Sequence, residues 1–287
     1  MPGYEEVFKE IAINAIVLNP PEPGDYKDDD GNLICGKCHT PRSVYKEYFG
    51  EMHYLPVTCK CRQEAEEKEK LDKRVAKLRE NCGLPKKYID VSFSTLMPDP
   101  VNERSVRILK RYSEKFPELY KKNQGLIIYG GVGTGKTHIA ACAINGIINQ
   151  GYSAFFVSLA ELLQKRMYFD KYQAVIEEEE FMNRIRSVSL LVIDDFGTER
   201  ATGFALEFVY NVINARCNVN KPIIVTTNIS YQEMLDCQDR QYKRIYNRLF
   251  EACAYPVEFA GESKRLTIAA DKYDAMSKLL EVDDEPD

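Results

Sequence analysis

The stretch that decides the fold is "LIIYGGVGTGKTHIA", residues 126–140. Gly130, Gly135, Lys136 and Thr137 complete the pattern G-x-x-x-x-G-K-[ST] between a strand-like apolar run and a helical run. In this pattern the glycines let backbone N–H groups converge on phosphate oxygens. The lysine reaches the β- and γ-phosphates, and the threonine hydroxyl is a ligand for Mg²⁺. The sequence therefore predicts a nucleoside triphosphate site.

The predicted nucleotide-binding set comprises the glycine-rich loop, the start of the next helix and one acidic residue of a later strand. Its members are Gly130, Gly131, Val132, Gly133, Thr134, Gly135, Lys136, Thr137, His138 and Asp194. Thr137 and Asp194 are the predicted magnesium ligands. The His138 side chain is expected to pack within its helix.

Two further strands are predicted to bring polar side chains to the same place. "SLLVIDDFG", residues 189–197, ends its apolar run in Asp194 and Asp195. Asp195 would orient or deprotonate the attacking water, with Glu199 as the alternative carboxylate. "KPIIVTTN", residues 221–228, ends in Asn228, which would hold that water or would simply form a turn. Because ligands of open α/β sheets bind outside the carboxyl ends of the strands, these groups are expected beside the phosphates.

Beyond the start of this region, apolar runs suited to buried strands alternate with helical stretches. The runs are "GLIIYG", "SAFFVS", "SLLVIDD", "KPIIVTTN" and "AYPVEFA". This alternation predicts an α/β domain with a central parallel sheet flanked by helices.

Residues 62–81 mix both charge signs at helical spacing and predict a solvated connecting helix. Gly83 and Pro85 end this helix, so the boundary between two domains, residues 1–82 and 83–287, is placed there. A short helix is expected over residues 1–18.

The first domain holds four of the nine cysteines as two close pairs. They are Cys35, Cys38, Cys59 and Cys61. Their spacing is typical of a tetrahedral Cys₄ zinc ribbon, and a closed site of this kind would be structural. Zinc would then supply much of the folding free energy of a small domain. Two alternatives stay open: His39 or His53 replaces one thiolate, or the thiols are free or redox-active.

The formal charge of −5 and pI of about 5.5 argue against a protein that coats nucleic acid through overall basicity. The acidic first residues lack the basic-then-apolar order of a signal peptide, and there is no long apolar run. A cytoplasmic location is therefore expected.

Residues 85–270 resemble the AAA+ ATPases of the DnaC and DnaI helicase-loader group, which are similar to the IstB transposition ATPases. The loop at residues 130–137 matches the Walker A motif, Asp194 and Asp195 match Walker B, and Asn228 matches sensor 1. "GLPKKYIDVSF", residues 83–93, resembles the segment that helps to enclose the adenine. The resemblance implies an AAA+ P-loop ATP hydrolase that binds ATP or ADP with Mg²⁺. Hydrolysis is expected to be slow and to depend on assembly.

Two arginines gain roles from this resemblance. In "YKRIYNRLFEAC", residues 242–253, Arg248 matches the arginine finger that enters the site of a neighbouring subunit, which implies a ring or spiral of copies. In "GESKRLTIA", residues 261–269, Arg265 matches sensor 2, with Lys264 as the alternative. A surface salt bridge is the alternative for Arg248. The short remainder of the chain implies a reduced or absent lid.

The function implied by the resemblance is ATP-dependent loading of a hexameric replicative helicase onto single-stranded DNA, with the N-terminal domain gripping the helicase. The alternatives are an IstB-like helper of a transposase and an ATP-gated assembly adaptor with little hydrolysis. "QKRMYFDKY", residues 164–172, is the predicted DNA contact. Its candidates are Lys165, Arg166, Phe169, Lys171 and Tyr172, with Tyr168 as a further stacking residue. Otherwise the apolar members pack on the core and the charges are solvated.

Overall fold

The computed structural model describes residues 21–48, 50–97, 99–197 and 203–280. The helix predicted over residues 1–18 and the alternative carboxylate Glu199 lie outside these ranges. None of the helices in these ranges combines the length and the continuous apolar character that spanning a bilayer requires.

The chain divides into two compact units, residues 1–74 and 75–287. The boundary predicted between residues 82 and 83 lies later in the chain than this division. The physical reason is that Cys82 is buried in the core of the second unit, and Val75 and Leu78 are partly buried against that core. The end of the connecting helix therefore belongs to the second unit.

The first unit is built from two small antiparallel sheets. In one, β1 (Tyr26–Lys27) pairs with β2 (Leu33–Ile34), and in the other β3 (Ser43–Tyr48) pairs with β4 (Glu51–Pro56). Arg42 is almost fully buried and donates to Asp25 at 2.5 Å. Asp25 in turn accepts from the Gly36 N–H at 3.0 Å. This buried ion pair fixes the turn that carries the first cysteine pair.

The helix α1 (Lys60–Glu80) matches the predicted connecting helix. It has no buried residue, and pairs of opposite charge lie one turn apart along it, such as Arg62 and Glu66 at 3.2 Å and Glu69 and Lys73 at 2.6 Å. Such exposed pairs contribute little stability. Solvated charge pairs rather than burial therefore characterise this helix, as its mixed charge pattern predicts.

The second unit contains the predicted parallel sheet. Its strands are β5 (Leu126–Gly130), β6 (Ala154–Ser158), β7 (Leu190–Phe196), β8 (Ile223–Thr227) and β9 (Tyr255–Phe259). They lie side by side in the order β6-β7-β8-β5-β9, and every neighbouring pair is parallel. All five predicted strands are confirmed, and β5 lies next to β8 near the middle of the sheet.

The helices of the second unit follow in chain order, and all but the last pack around the sheet. They are α2 (Glu103–Glu114), α3 (Phe116–Lys121), α4 (Lys136–Ile148), α5 (Leu159–Tyr172), α6 (Val175–Ser187), α7 (Gly203–Asn218), α8 (Tyr231–Leu235), α9 (Arg240–Ala252) and α10 (Lys264–Leu280). Leu191 and Ile193 of β7 pack in one core cluster, whereas Leu190 and Val192 pack in the other. A strand buried on both faces reads as a continuous apolar run, which is why the strand pattern does not alternate.

Candidate nucleotide and metal sites

The glycine-rich loop joins β5 to α4 and is shaped by close backbone approach. A Cβ atom at Gly130 would collide with the Phe259 carbonyl of the neighbouring strand. Gly135 precedes the first turn of α4 with φ of 105°, a conformation that side chains other than glycine rarely adopt. The free N–H groups of α4 therefore open toward the loop, which is the arrangement that binds anions at a helix N-terminus.

Lys136 lies at the centre of this loop and is 5% exposed. Its ammonium donates to the Gly130 and Gly131 carbonyls at 3.0 and 2.6 Å and to Asn228 Oδ1 at 2.6 Å. Burial lowers the pKa of Lys136, while the nearby carboxylates Asp195 and Asp194 act in the opposite direction. The loop lysine and the polar residue at the end of β8 are thus in direct contact.

Asp194 is the buried acid of this site, at 5% exposed. Its carboxylate accepts from the Thr226 hydroxyl at 2.5 Å and from the Thr137 hydroxyl at 3.1 Å. Burial raises the pKa of Asp194, although both hydrogen bonds act to lower it. A buried carboxylate beside a hydroxyl is a donor set that suits Mg²⁺, so Thr137 and Asp194 fit the predicted metal ligands.

Asp195 adopts a backbone conformation that is uncommon outside glycine, with φ of 52°. Its N–H donates to the Thr226 hydroxyl at 3.0 Å, and the pairing of β7 with β8 shifts register between Ile193 and Phe196. Bulges of this kind redirect side chains next to functional sites. The result is that Asp194 is buried under the loop while Asp195 lines the open cavity.

A cavity of about 460 Å³ lies over the loop, within the size range of small-molecule sites. Besides loop residues, it is lined by Lys87, Tyr88, His138, Asp195, Asn228, Lys264, Arg265 and Ile268. The Tyr88 and His138 rings meet edge to face with centroids 5.9 Å apart. Lys87 and Tyr88 belong to the segment that was expected to enclose the base, and Arg265, the residue predicted as sensor 2, also lines the cavity. Burial lowers the pKa of His138, which favours a neutral ring beside the cavity.

Arg248 is not among the described residues that line this cavity. It lies on α9, where its guanidinium contacts Glu251 at 2.7 Å and remains partly exposed. Hydrogen bonds to Glu251 and Tyr210 raise its pKa. The structure thus places Arg248 apart from its own nucleotide site and pairs it with a surface carboxylate.

The predicted DNA-contact segment falls on α5, and its members differ in exposure. Phe169 is 4% exposed and packs in the core, so the prediction that it stacks on bases is wrong. Arg166 is held by Asp170 at 2.7 Å and Glu178 at 3.2 Å and lies over the Phe204 ring, so it is not available as a free phosphate contact. Helical periodicity explains both, because these positions face α6 and α7.

Lys165, Lys171 and two tyrosines of the same segment remain on the surface. Tyr168 and Tyr172 are 45% and 60% exposed, and their ring centroids lie 5.0 Å apart. Lys171 lies over the Tyr172 ring at 5.1 Å from its centroid. One face of α5 therefore presents two aromatic rings beside two lysines.

In the first unit, the four predicted cysteines come together. Their Sγ atoms all lie within 4.8 Å of one another, and no histidine belongs to this group among the described residues. Cys61 Sγ lies 3.6 Å from Cys35 Sγ and 3.5 Å from Cys59 Sγ. Zinc bound at about 2.3 Å by four tetrahedral thiolates separates the sulfurs by roughly 3.8 Å, so the cluster has the size that zinc needs. His39 lies instead beside Tyr26, at 3.3 Å from its hydroxyl.

The hydrogen bonds around the sulfurs also suit a metal. The Thr40 hydroxyl lies 3.1 Å from Cys38 Sγ, and this hydrogen bond, together with backbone N–H groups of Cys61 and Thr40, lowers the pKa of Cys38 to about 5. Contacts with the neighbouring sulfurs, first that of Cys38, raise the pKa of Cys61 to about 12. Four thiolates at this separation repel one another, and a bound cation would remove that repulsion.

Three features of the nucleotide site were not predicted from the sequence. Thr226 bridges Asp194 and Asp195, Ile268 lines the cavity, and the Lys264 ammonium pairs with Asp99 at 2.5 Å. Thr226 could have been found from the sequence, because it lies two residues before Asn228, near the end of the strand β8 that pairs with β7. Asp99 and Ile268 carry no motif of their own.

Comparison with known proteins agrees with this geometry. The family model described as IstB-like ATP binding protein matches residues 63–271. The replicative helicase loader DnaC of Buchnera aphidicola subsp. Schizaphis graminum is 24% identical over 192 residues, which cover 67% of this chain and 76% of that protein.

Solved structures agree as well. The crystal structure of the DnaC helicase loader matches with a TM-score of 0.54 at 22% identity, covering 61% of this chain and 99% of the other. The replication initiator DnaA bound to AMPPCP and single-stranded DNA matches with a TM-score of 0.50 at 26% identity, covering 70% and 58%. The first of these likenesses supports the fold alone. Since the family model spans most of the chain, this protein belongs to the IstB-like ATP-binding family of the AAA+ superfamily.

Proposed function

We propose that this protein is an ATP-hydrolysing loader that delivers a hexameric replicative helicase to single-stranded DNA. The observation that carries the proposal is the meeting of Lys136, Asp194 and Asn228 at one sheet edge, in a chain whose relatives are named replicative helicase loaders. Such a role would place the protein in the cytoplasm.

In the proposed reaction, Lys136 leaves the loop carbonyls and Asn228 to bind the β- and γ-phosphates of ATP. Thr137 and Asp194 would hold Mg²⁺, which supplies charge neutralisation at those phosphates when bound. Asn228, released from Lys136, would position the attacking water, and Asp195 at the cavity wall would orient or deprotonate it. Arg265 would bind the γ-phosphate from the same subunit.

We propose that Arg248 of an adjacent copy neutralises the remaining negative charge on the γ-phosphate. Arg248 does not line the cavity of its own subunit, and its exposed pair with Glu251 is of a kind that contributes little stability. It can therefore be given up at small cost when a neighbour docks. In GTPases an arginine supplied in this way accelerates the reaction by about 10³ to 10⁵. Assembly into a ring or spiral would then control hydrolysis.

The four-cysteine unit is proposed to bind one zinc ion and to grip the helicase. Four thiolates leave no open coordination position, so zinc would act on folding and not on the reaction. Its chemical contribution when bound would be to neutralise the converging sulfurs.

Single-stranded DNA is proposed to contact the exposed face of α5. Lys165 and Lys171 would meet phosphates, and Tyr168 and Tyr172 would stack on bases. The DnaA initiator described above was solved with single-stranded DNA bound, and the proposal extends that property to this chain.

The most direct test is co-purification with the replicative helicase of the same organism, with and without ATP. A complex that forms only in one nucleotide state, and that loses this dependence in Lys136→Ala, is expected. A protein that ignores the helicase but associates with a transposase would instead be an IstB-like helper. Helicase binding without measurable ATP turnover would leave only an ATP-gated adaptor. Neither alternative is favoured, because the DnaC relatives of this chain are named helicase loaders.

A further inference from the structure

The helix α10 is attached to the second unit through its first turn. Every side chain of α10 that the structure describes is exposed or half-buried, including Leu266 at 72%, Tyr273 at 72% and Leu280 at 68%. A helix of this length whose described side chains are all at least partly exposed gains little from packing. The few contacts at its start must therefore set its position.

Two contacts of Lys264 make this attachment. Its N–H donates to the Gly133 carbonyl of the glycine-rich loop at 3.0 Å. Its ammonium contacts Asp99 at 2.5 Å, where the Asp99 side chain is only 13% exposed. Ser263 lies so close to Gly133 that a Cβ atom there would collide with it. The start of α10 thus rests directly on the phosphate-binding loop.

Asp99 is itself held in place. Asn102, which is 2% exposed, donates from its amide nitrogen to Asp99 Oδ2 at 2.8 Å and to the Ala260 carbonyl at 2.9 Å. The Ala260 N–H returns a hydrogen bond to Asn102 Oδ1 at 2.9 Å. Asp99 is therefore a fixed carboxylate against which the Lys264 ammonium is located.

The lining of the cavity is rich in positive charge, which the Asp99 carboxylate partly offsets. The cations that line the cavity are Lys87, Lys136, Lys264 and Arg265, while Asp195 is a carboxylate in the same lining. Arg265 acts to lower the pKa of Lys136. Asp194 and Asp195 offset the charge of Lys136, but Lys264 has its own carboxylate partner in Asp99. Without that partner, repulsion among the cations would favour movement of the start of α10 away from the loop. Asp99 does not line the cavity, so it offsets the charge of Lys264 from behind without occupying the phosphate position.

We propose that Asp99 is a positioning residue for ATP hydrolysis: its ion pair with Lys264 latches the start of α10 to the glycine-rich loop and thereby directs Arg265 at the γ-phosphate. The proposal rests on the ATPase function proposed above. Arg265 follows Lys264 directly, so a shift of Lys264 moves Arg265 by a similar distance. Misplacement of a catalytic group by about 1 Å costs up to about 10²-fold in rate.

The test compares four variants: Asp99→Asn, Lys264→Gln, the exchange variant carrying both Asp99→Lys and Lys264→Asp, and the control Asp271→Asn. Asp271 lies exposed on the same helix beyond the first turn. Two quantities are measured: amide hydrogen exchange of residues 264–266 in the nucleotide-free protein, and the kcat and KM of ATP hydrolysis.

For Asp99→Asn we expect exchange at residues 264–266 to accelerate about tenfold and kcat to fall about tenfold, with KM within about threefold of the wild type. The double variant with Asp99→Lys and Lys264→Asp should restore both values, because it restores the ion pair. The control Asp271→Asn should match the wild type. Asp99→Asn that matches the control overturns the proposal. The proposal is also overturned if the double variant stays as impaired as Lys264→Gln, because Lys264 would then act on the nucleotide itself. If the wild type does not hydrolyse ATP, the proposed function fails. The amide hydrogen-exchange rates of residues 264–266 then still show whether the Asp99–Lys264 ion pair holds the start of α10.

Discussion

Replacing Lys136 by methionine should abolish productive nucleotide binding without unfolding the protein. In the free site the ammonium donates to two loop carbonyls and to Asn228. In the bound state it would exchange these partners for β- and γ-phosphate oxygens. Each hydrogen bond that involves a charged group contributes about 1.5–3 kcal/mol, so two phosphate contacts correspond to about 3–6 kcal/mol.

The contacts that Lys136 gives up in the free site reduce this gain, so the lower part of the range applies. We therefore expect the Kd for ATP to rise at least about 10²-fold. The assay is a fluorescent ATP-analogue titration with calorimetry, and thermal unfolding checks the fold. The matched control is Lys221→Met, since the Lys221 ammonium also donates to a backbone carbonyl, that of Ser187 at 2.7 Å, away from the cavity. A Kd within threefold of the wild type in a folded Lys136→Met protein would refute the assignment of the loop.

Other consequences are open to measurement. Metal analysis should find one zinc per chain, and Cys59→Ser or a strong chelator should remove the ion and unfold the first unit, as judged by proteolysis. Because burial raises the pKa of Asp194, its ionised form destabilises the fold, and stability should fall as pH rises through that raised pKa. Asp194→Asn should therefore stabilise the nucleotide-free protein at neutral pH while ending Mg²⁺-dependent hydrolysis, which unfolding and turnover assays together would check. Changing Lys165 and Lys171 to glutamine should flatten the salt dependence of single-strand binding, and an unchanged slope would remove the contact. Tyr168→Ala should weaken binding at every salt concentration, by about 1–3 kcal/mol if one base stacks there.

The fold was predictable because its signals are local. Five apolar runs became five parallel strands, and the glycine-rich loop follows the first of them. A fully buried parallel strand does not alternate in polarity, so these strands were recognised by their short length, their β-branched and aromatic content and the turn residues beside them. The helix over Lys60–Glu80 was also visible, because exposed charge pairs at helical spacing need no tertiary contact to be recognised.

The errors lie where a residue's environment depends on distant partners. The composition of "QKRMYFDKY" suggested a basic aromatic surface, yet the helix turns Phe169 into the core and Arg166 toward Glu178. Because of helical periodicity, the residues of this segment cannot all face solvent, but the sequence does not state which side of the helix faces the core. Asp99 likewise meets Lys264 across more than half the chain, and such a pair leaves no local pattern.

The central claim is that each nucleotide site becomes competent only when an adjacent copy inserts Arg248. It can be tested by mixing two variants that are each inactive: Lys136→Met, which lacks the phosphate contact, and Arg248→Ala, which lacks the inserted cation. In a mixture, an Arg248→Ala subunit has an intact loop and can receive Arg248 from a Lys136→Met neighbour. For random head-to-tail assembly of an equal mixture, about one quarter of the interfaces combine the two intact halves.

The measurement is ATP turnover of this mixture, at a total protein concentration at which the wild type is assembled. The account predicts recovery to about a quarter of the wild-type rate, and loss of that recovery on dilution. A mixture that stays as inactive as its components would contradict the account. An Arg248→Ala protein that hydrolyses ATP at the full rate by itself would contradict it as well.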